Sequence, residues 1–242
     1  MSPAASVPAW SDVEAACARH GLAVRGGLHP APDEALPSLQ GVPAATLVLV
    51  GNVGPSMWEA FERARAARPA LDGLDTWTHE VVTAIAGDLG ARPLFPFEGP
   101  PFWPFQRWAL RAEPVHPSPL GLLIHPIFGL WHAYRAALLF PARLALPARS
   151  DAPSPCATCA DRPCLGGCPV GAFSAGDPVT YDVPACVAHL RSEPEVPCMT
   201  RACLARRACP VGREHVYPAP QRAHHMRAFV ANFPVTRVAS DS

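Results

Sequence analysis

Four cysteines open the last third of the chain in the stretch Cys156-Ala157-Thr158-Cys159-Ala160-Asp161-Arg162-Pro163-Cys164-Leu165-Gly166-Gly167-Cys168-Pro169. After a single Cys186, a second run follows as Cys198-x4-Cys203-x5-Cys209-Pro210. Each run ends in the same four residues, Cys-Pro-Val-Gly, which indicates an internal repeat. Every cysteine except Cys17 therefore belongs to one module.

Cysteine runs that close on Cys-Pro are typical of iron–sulfur proteins, in which the closing cysteine commonly binds the cluster of the other run. This exchange predicts two sets of four ligands. The first cluster is expected on Cys156, Cys159, Cys164 and Cys209, and the second on Cys168, Cys186, Cys198 and Cys203. Because every cysteine of the module is then used once, the pattern predicts a bacterial-type ferredoxin domain with two 4Fe–4S clusters.

Three other uses of these cysteines compete with two clusters. Disulfides are disfavoured, because residues 1–10 lack the basic start and apolar run of a secretory leader, and a cytoplasmic chain keeps its thiols reduced. Eight thiolates could also hold two structural zinc ions, although zinc modules do not usually repeat the Cys-Pro ending. A single cluster with idle thiols stays open, since four residues separate Cys159 from Cys164 where the common pattern has two.

Length and composition narrow the function classes. The 242 residues leave about 150 for a core beside the cluster module. The formal net charge is zero, so no nucleic-acid partner is expected. The chain contains no lysine, which excludes a Schiff-base or P-loop lysine. The most apolar window, residues 120–140, is interrupted by histidine, proline and arginine, so no membrane span is expected.

Local patterns predict an α+β chain. A capping box at Ser11–Glu14 predicts a helix to His20, and a β-branched run predicts a buried strand at 45–50. Further helices are expected at 56–67, 75–89, 182–190 and 221–231, strands at 120–125 and 132–140, and irregular structure at 91–105. We therefore expect a first domain at 1–145, a proline-rich connector at 146–155 and the cluster domain at 156–242.

The segment from Ile124 to Arg135 carries a second informative motif. Its sequence, Ile-His-Pro-Ile-Phe-Gly-Leu-Trp-His-Ala-Tyr-Arg, closely resembles the Ile-His-Pro-x-Phe-Gly-x-Trp-x-x-x-Arg segment of the CblC-type cobalamin-processing proteins. Weaker similarity covers Thr46–Val50, Met57–Ala60 and Phe105-Gln106-Arg107. The resemblance implies a nitroreductase-like domain, with an antiparallel or mixed sheet and flanking helices, that binds, reduces, decyanates or dealkylates cobalamin. The animal members of that family lack an iron–sulfur module.

The order of the two domains is similar to that of epoxyqueuosine reductase and the reductive dehalogenases. In those enzymes a cobalamin-binding domain of nitroreductase-like fold precedes a two-cluster ferredoxin domain. Cys186 looks like the cysteine that stands alone between the two runs of epoxyqueuosine reductase. The chain is too short for that enzyme's C-terminal tRNA-holding repeat, so tRNA reduction is not expected.

The CblC resemblance implies a set of cobalamin contacts, namely Gln106, His125, Phe128, Gly129, Trp131 and Arg135. Gly129 fits a place where backbone approaches a planar ligand, although a tight turn and a core tryptophan at Trp131 are alternatives. His125 could instead satisfy backbone groups. Arg135 needs an anion inside an apolar strand. The family's matching arginine binds glutathione; here the cobalamin phosphate, a propionamide, Glu98 or Glu113 are the alternatives. No residue is assigned a catalytic role.

Together these patterns predict a cytoplasmic, iron–sulfur-dependent oxidoreductase that acts on cobalamin. Its clusters would deliver electrons to bound cob(III)alamin for reduction and removal of the upper ligand. A flavodoxin or a reductase would supply those electrons. The alternatives are a ferredoxin-type electron carrier, a corrinoid chaperone, or a reductase of an organic substrate similar to epoxyqueuosine reductase or the dehalogenases.

Overall fold

The computed structural model describes residues 7–174, 179–193 and 195–233. Contacts between residues divide the chain into two compact units. The first comprises Met1–His116 and Trp131–Ser154, and the second comprises Pro117–Leu130 and Pro155–Ser242. Helices are combined with a small antiparallel sheet, which confirms the α+β class. Residues 117–130, which the sequence predicts within the first domain, group with the cysteine module.

The strands of the described residues are, in chain order, β1 (Ala23–Leu28), β2 (Thr46–Val53), β3 (Arg92–Leu94), β4 (His116–Pro117), β5 (Leu123–Ile124) and β6 (His132–Phe140). The first unit contains a sheet of order β1-β2-β6-β3 in which every pairing is antiparallel. All residues of β2 except Val53 are buried or nearly so, because its β-branched and leucine side chains face apolar layers.

The helices are α1 (Trp10–Ala18), α2 (Ser56–Ala67), α3 (Gly73–Asp88), α4 (Phe105–Ala112), α5 (Pro163–Gly166), α6 (Val183–Ser192), α7 (Pro197–Arg201), α8 (Leu204–Ala208) and α9 (Ala219–Ala231). Short 3-10 turns occur at Pro155–Ala157 and Arg213–His215. In the first unit, α1, α2 and α3 bury Val13, Phe61 and Trp77 in one core with Leu138 of β6. This core gives the first unit a hydrophobic interior of its own.

The bounds of α2 and β6 agree with the sequence prediction, and α3 and α9 begin two residues early. The helix expected at 182–190 is α6, and Asp182 is its N-cap residue, since its carboxylate accepts a 2.9 Å hydrogen bond from the Ala185 N–H. Three predictions are wrong. The cap of α1 is Ala9, whose N–H donates to Asp12 at 2.8 Å, rather than Ser11.

The other two errors concern extended segments. Within 120–125 the strand is limited to Leu123–Ile124, because residues 118–122 close a turn through the Ser118 N–H and the Leu122 carbonyl. Within 91–105 the expected irregular segment contains β3. The sequence analysis also missed β1 and α4. The run Ala23–Leu28 contains two glycines and an arginine, so only pairing with β2 identifies it as a strand.

The second unit consists mainly of helices, and its cysteines lie both in these helices and in the turns between them. One of its small apolar clusters contains Leu120, Ile124, Leu130, Ala205 and Cys209, and another contains Leu190, Val196 and Cys198. Cysteine sulfurs are therefore part of its interior. Among the described residues of the whole chain, none of the helices is both long and apolar enough to cross a membrane.

Candidate metal centres

The first of two cysteine-lined cavities lies entirely within the second unit. Its empty volume, which includes space open to solvent, is about 330 Å³, and its thiols come from Cys156, Cys159, Cys164 and Cys209. Cys156 lies in the first 3-10 turn, Cys164 in α5 and Cys209 directly after α8. The remaining wall is mainly apolar and consists of Pro119, Ile124, Pro155, Pro163, Pro210, Val211 and the side chain of Arg162.

The second cavity, also within this unit, has an empty volume of about 290 Å³ that likewise includes space open to solvent. Its thiols come from Cys168, Cys186, Cys198 and Cys203. Cys186 lies in α6 and Cys198 in α7. Cys203 is the N-cap residue of α8, whereas Cys209 follows the C-terminal end of the same helix. The two cysteines that flank the five-residue helix α8 therefore line different cavities.

The two cavities group the eight cysteines in the same sets of four that the exchange pattern predicts. None of these eight cysteines forms a disulfide, and neither does Cys17, which is buried in the first unit. Burial raises the pKa of the Cys17 thiol to about 12, so this cysteine is an unreactive core residue. The assignment of the eight others as cluster ligands stays a prediction.

Burial makes several of the thiols that line the cavities harder to ionise. Burial, and secondly the neighbouring thiols, raise the pKa of Cys156 and of Cys164 above the ordinary value. In the second cavity burial raises the pKa of Cys203, and the thiols of Cys198 and Cys186 raise it further, although backbone N–H groups lower it. Four thiolates at one apolar site therefore need a cationic group between them.

The donor set fits an iron–sulfur cluster. Each cavity offers four sulfurs around an apolar space, and thiolate is the ligand that such clusters use. Backbone N–H groups supply hydrogen bonds to these sulfurs; the Ala172 N–H, for example, lies 3.3 Å from the Cys168 sulfur. Within the described ranges, no group of three His, Cys, Asp or Glu side chains is placed to hold a single metal ion.

Three of the predicted cobalamin contacts lie in the second unit and form a closed turn. His125 Nδ1 accepts hydrogen bonds from the N–H groups of Ile127 (3.1 Å) and Phe128 (3.3 Å). The backbones of His125 and Gly129 exchange two hydrogen bonds of 2.9 Å. The Phe128 ring stacks on the imidazole at 4.2 Å between centroids. His125 thus satisfies backbone groups, as the alternative interpretation proposed.

Another group approaches the Gly129 backbone closely, as the sequence suggested, and that group is protein backbone. A Cβ on Gly129 would overlap the carbonyl group of Val211. Val211 belongs to the second Cys-Pro-Val-Gly repeat, next to the first cavity. The turn at 125–129 and the Cys209 loop therefore touch backbone to backbone.

The other three predicted contacts lie in the first unit. Trp131 is 1% exposed and belongs to the interior, whereas Gln106 is exposed on α4. The Arg135 guanidinium lies 3.6 Å from the Asp75 carboxylate, which the sequence analysis did not consider as a partner. Glu98, one of the carboxylates proposed for Arg135, lies 3.6 Å from the His79 ring instead.

Glu113, the other proposed partner of Arg135, pairs with Arg25. Both are buried, and the Arg25 guanidinium donates to both Glu113 carboxylate oxygens at 3.0–3.2 Å. The Tyr134 hydroxyl donates to the same carboxylate. Burial raises the pKa of Glu113, while Arg25 and Tyr134 lower it. Sequence reasoning missed this pair because β1, which carries Arg25, was not predicted.

An open cleft of about 700 Å³ also lies in the first unit. It is lined by Glu34, Ala35, Leu36, Trp103, Pro104, Arg107, Trp108 and Arg111. Glu34 accepts hydrogen bonds from Trp108 (2.7 Å) and Arg111 (3.0 Å). The cleft is therefore closed on one side by a satisfied ion pair.

No protein-family model matches this chain, and no curated protein matches it in sequence. A functional conclusion must therefore rest on the residues and contacts described above.

Proposed function

We propose that this chain is an iron–sulfur electron-transfer protein with two 4Fe–4S clusters in a ferredoxin-like second unit, and that it reduces a bound corrinoid. One observation carries the cluster half of the proposal: eight cysteines surround two cavities in sets of four, with the closing cysteine of each run exchanged. The spacing of the cysteines and the lining of the cavities both support these sets.

The chain's own residues would hold and shield these groups. Cys156, Cys159, Cys164 and Cys209 would bind the first cluster, and Cys168, Cys186, Cys198 and Cys203 the second. Each cluster, when bound, supplies one-electron transfer at a potential that depends on charge, hydrogen bonds and exposure. The apolar walls contributed by prolines, Ile124 and Leu190 would exclude water from the sulfurs.

The corrinoid half rests on the resemblance of Ile124–Arg135 to the CblC-type proteins; of this motif, Trp131–Arg135 belongs to the first unit, for which the resemblance implies a nitroreductase-like fold. Electrons added to cob(III)alamin occupy an antibonding orbital along the axial bond, so reduction releases the upper ligand. That chemistry belongs to the cofactor, and the protein supplies position and electrons. Within the first unit, exposed Gln106 and partly exposed Arg135 are the candidate contacts. A flavodoxin or reductase in the cytoplasm would be the upstream donor.

A ferredoxin-type carrier, or a corrinoid chaperone without turnover, is the second candidate. One observation favours it: His125, Phe128 and Gly129 contact each other and the second Cys-Pro-Val-Gly loop. Half of the predicted cobalamin contacts thus have a structural role that requires no corrinoid.

Anaerobic purification tests the two halves separately. We expect about eight irons and eight sulfides per chain, four of each per cluster, and a reduced-state electron paramagnetic resonance signal. The variant Cys17→Ser, outside the module, should keep them all. A colourless zinc protein would contradict the cluster half.

The dithionite-reduced, desalted protein is then mixed with cyanocobalamin or methylcobalamin, and visible spectra are recorded. Appearance of cob(II)alamin with loss of the upper ligand supports the reductase. Binding without ligand loss supports the chaperone, and the absence of binding supports the carrier.

A further inference from the structure

The two copies of the Cys-Pro-Val-Gly loop have the same sequence and different surroundings. Gly171 ends the first copy and Gly212 the second, and both have positive φ, +57° and +70°. A Cβ built on Gly171 meets no described atom within 4 Å. A Cβ on Gly212 would overlap the Phe128 carbonyl group and lie 2.6 Å from the Gly129 nitrogen. The second copy is therefore covered by the turn at 125–129.

The contact is mutual, because Gly129 also has no room for a Cβ against Val211. Two backbones that approach this closely require glycine on both sides. Each glycine therefore permits the other loop to adopt its position.

Side chains from residues before and after Cys209 contact the same turn and the residue that follows it. Arg206, three residues before it, donates from Nε to the Leu130 carbonyl oxygen at 3.1 Å, and its guanidinium lies 5.0 Å from the Tyr217 ring centroid. His215, six residues after it, meets the Phe128 ring edge to face at 5.2 Å. The turn is thus attached to the Cys209 loop by backbone packing, a charged hydrogen bond and a ring contact.

The same segment also reaches the first cavity. Pro119 and Ile124 line it together with the four thiols, and Ile124 is 1% exposed. The described lining of the second cavity comes from residues 168–226. The two cavities therefore differ in where their walls originate.

We infer that Pro117–Leu130 is part of the binding site of the first cluster: it fixes the Cys209 loop and closes the apolar wall. This inference rests on the cluster half of the proposed function. The first cluster then depends on a segment that precedes its first ligand, Cys156, by almost thirty residues. The second cluster assembles from the cysteine module itself.

Gly129→Ala and Gly171→Ala form a matched pair for testing this inference, because both positions have φ +57° and only the first is crowded. We expect Gly129→Ala to lose the first cluster, so that iron falls from about eight to about four per chain. Gly171→Ala should keep both clusters. Tryptophan fluorescence controls for folding of the first unit, since all six tryptophans lie there, and the second cluster, if retained, shows that the second unit is folded.

The Cys186→Ala background identifies which cluster is lost. It removes a ligand of the second cluster, so its remaining iron, about four per chain, reports the first. There Gly129→Ala should leave almost no iron, and Gly171→Ala should leave about four. If Gly129→Ala keeps both clusters, or loses both equally, the inference is wrong. If the unmodified protein lacks iron, the proposed function fails instead.

A separate observation concerns His189, three residues after Cys186 on α6. Its side chain lines the second cavity with the four thiols. Its Nε2 atom is fully buried and has no hydrogen-bond partner among the described residues. Buried ring nitrogens normally have a hydrogen-bond partner, and this one lies beside the cavity without one among the described residues.

We propose that the His189 Nε2–H donates a hydrogen bond to a sulfur of the second cluster. A donor to cluster sulfur favours the reduced, more negative state, so it raises the reduction potential. This proposal also depends on the clusters, but it does not depend on the turn at 125–129.

Potentiometric titration followed by electron paramagnetic resonance tests the role of His189. In His189→Leu the second cluster should titrate at a more negative potential, with the first cluster and the iron content unchanged. His189→Gln keeps an N–H donor and should recover part of the shift. Equal potentials in the unmodified protein, His189→Leu and His189→Gln would contradict the hydrogen bond. A shift in His189→Gln as large as that in His189→Leu would also contradict it.

Discussion

The two units differ in what fills their interiors. In the first, β2 and β6 lie in a core of buried aliphatic and aromatic side chains such as Phe61, Trp77 and Leu138. In the second, the apolar clusters are small and contain the cysteines themselves. Hydrophobic burial can stabilise the first unit, whereas small domains with little core usually need a metal or a cross-link. The difference is what we expect if the proposed clusters are a structural part of the second unit.

Removal of iron is the strongest test of this comparison. After treatment with an iron chelator and ferricyanide, we expect the second unit to lose its helical circular dichroism, because binding free energy supplies its folding free energy. The first unit should keep its tryptophan-detected unfolding transition, since all six tryptophans belong to it. If the second unit stays folded without iron, the two units do not differ in their dependence on a metal.

Substitution of a single proposed cluster ligand should have the next largest effect, a loss of half of the iron. Cys209→Ser and Cys168→Ser should each reduce iron from about eight to about four per chain, and each should remove a different cluster. Adding Cys186→Ser to Cys209→Ser should then remove the remaining iron, whereas adding Cys156→Ser should not. The reverse result in iron analysis would show that the closing cysteines are not exchanged.

A buried ion pair tests the first unit alone. Glu113→Gln leaves the Arg25 guanidinium, 2% exposed, without its charged partner. We expect the free energy of unfolding of the first unit to fall by about 3–5 kcal/mol, as is typical when one partner of a buried pair is removed. Denaturant titration followed by tryptophan fluorescence measures it. Iron content should not change, and a loss of iron would link the two units energetically.

Removal of an exposed ion pair in the same unit should have the smallest effect on the free energy of unfolding. The Arg68 and Glu80 side chains lie 2.7 Å apart and are about half exposed. Arg68→Ala should change the free energy of unfolding by at most about 1 kcal/mol, because water and salt screen the pair. The same titration checks it. A loss as large as that of Glu113→Gln would mean that burial does not explain the difference between the pairs.

Several local features could be predicted from sequence because their causes are local. The bounds of α2 follow from helix-forming residues after Pro55, and those of β6 from an apolar run that ends before Pro141. The grouping of the cysteines follows from their spacing. By contrast, β1 was missed because its glycines and arginine resemble a loop until β2 pairs with it.

The amino-acid sequence by itself determined that eight thiols occur in one module, seven of them in two related runs with Cys186 between, since cysteine spacing within a short module is a property of the chain. Only the tertiary structure decided that Gly129 meets Val211, that Arg25 meets Glu113, and that Arg135 lies beside Asp75. The physical reason is that these contacts join residues far apart in the chain. A glycine or a charged side chain has many possible partners, and the fold selects among them.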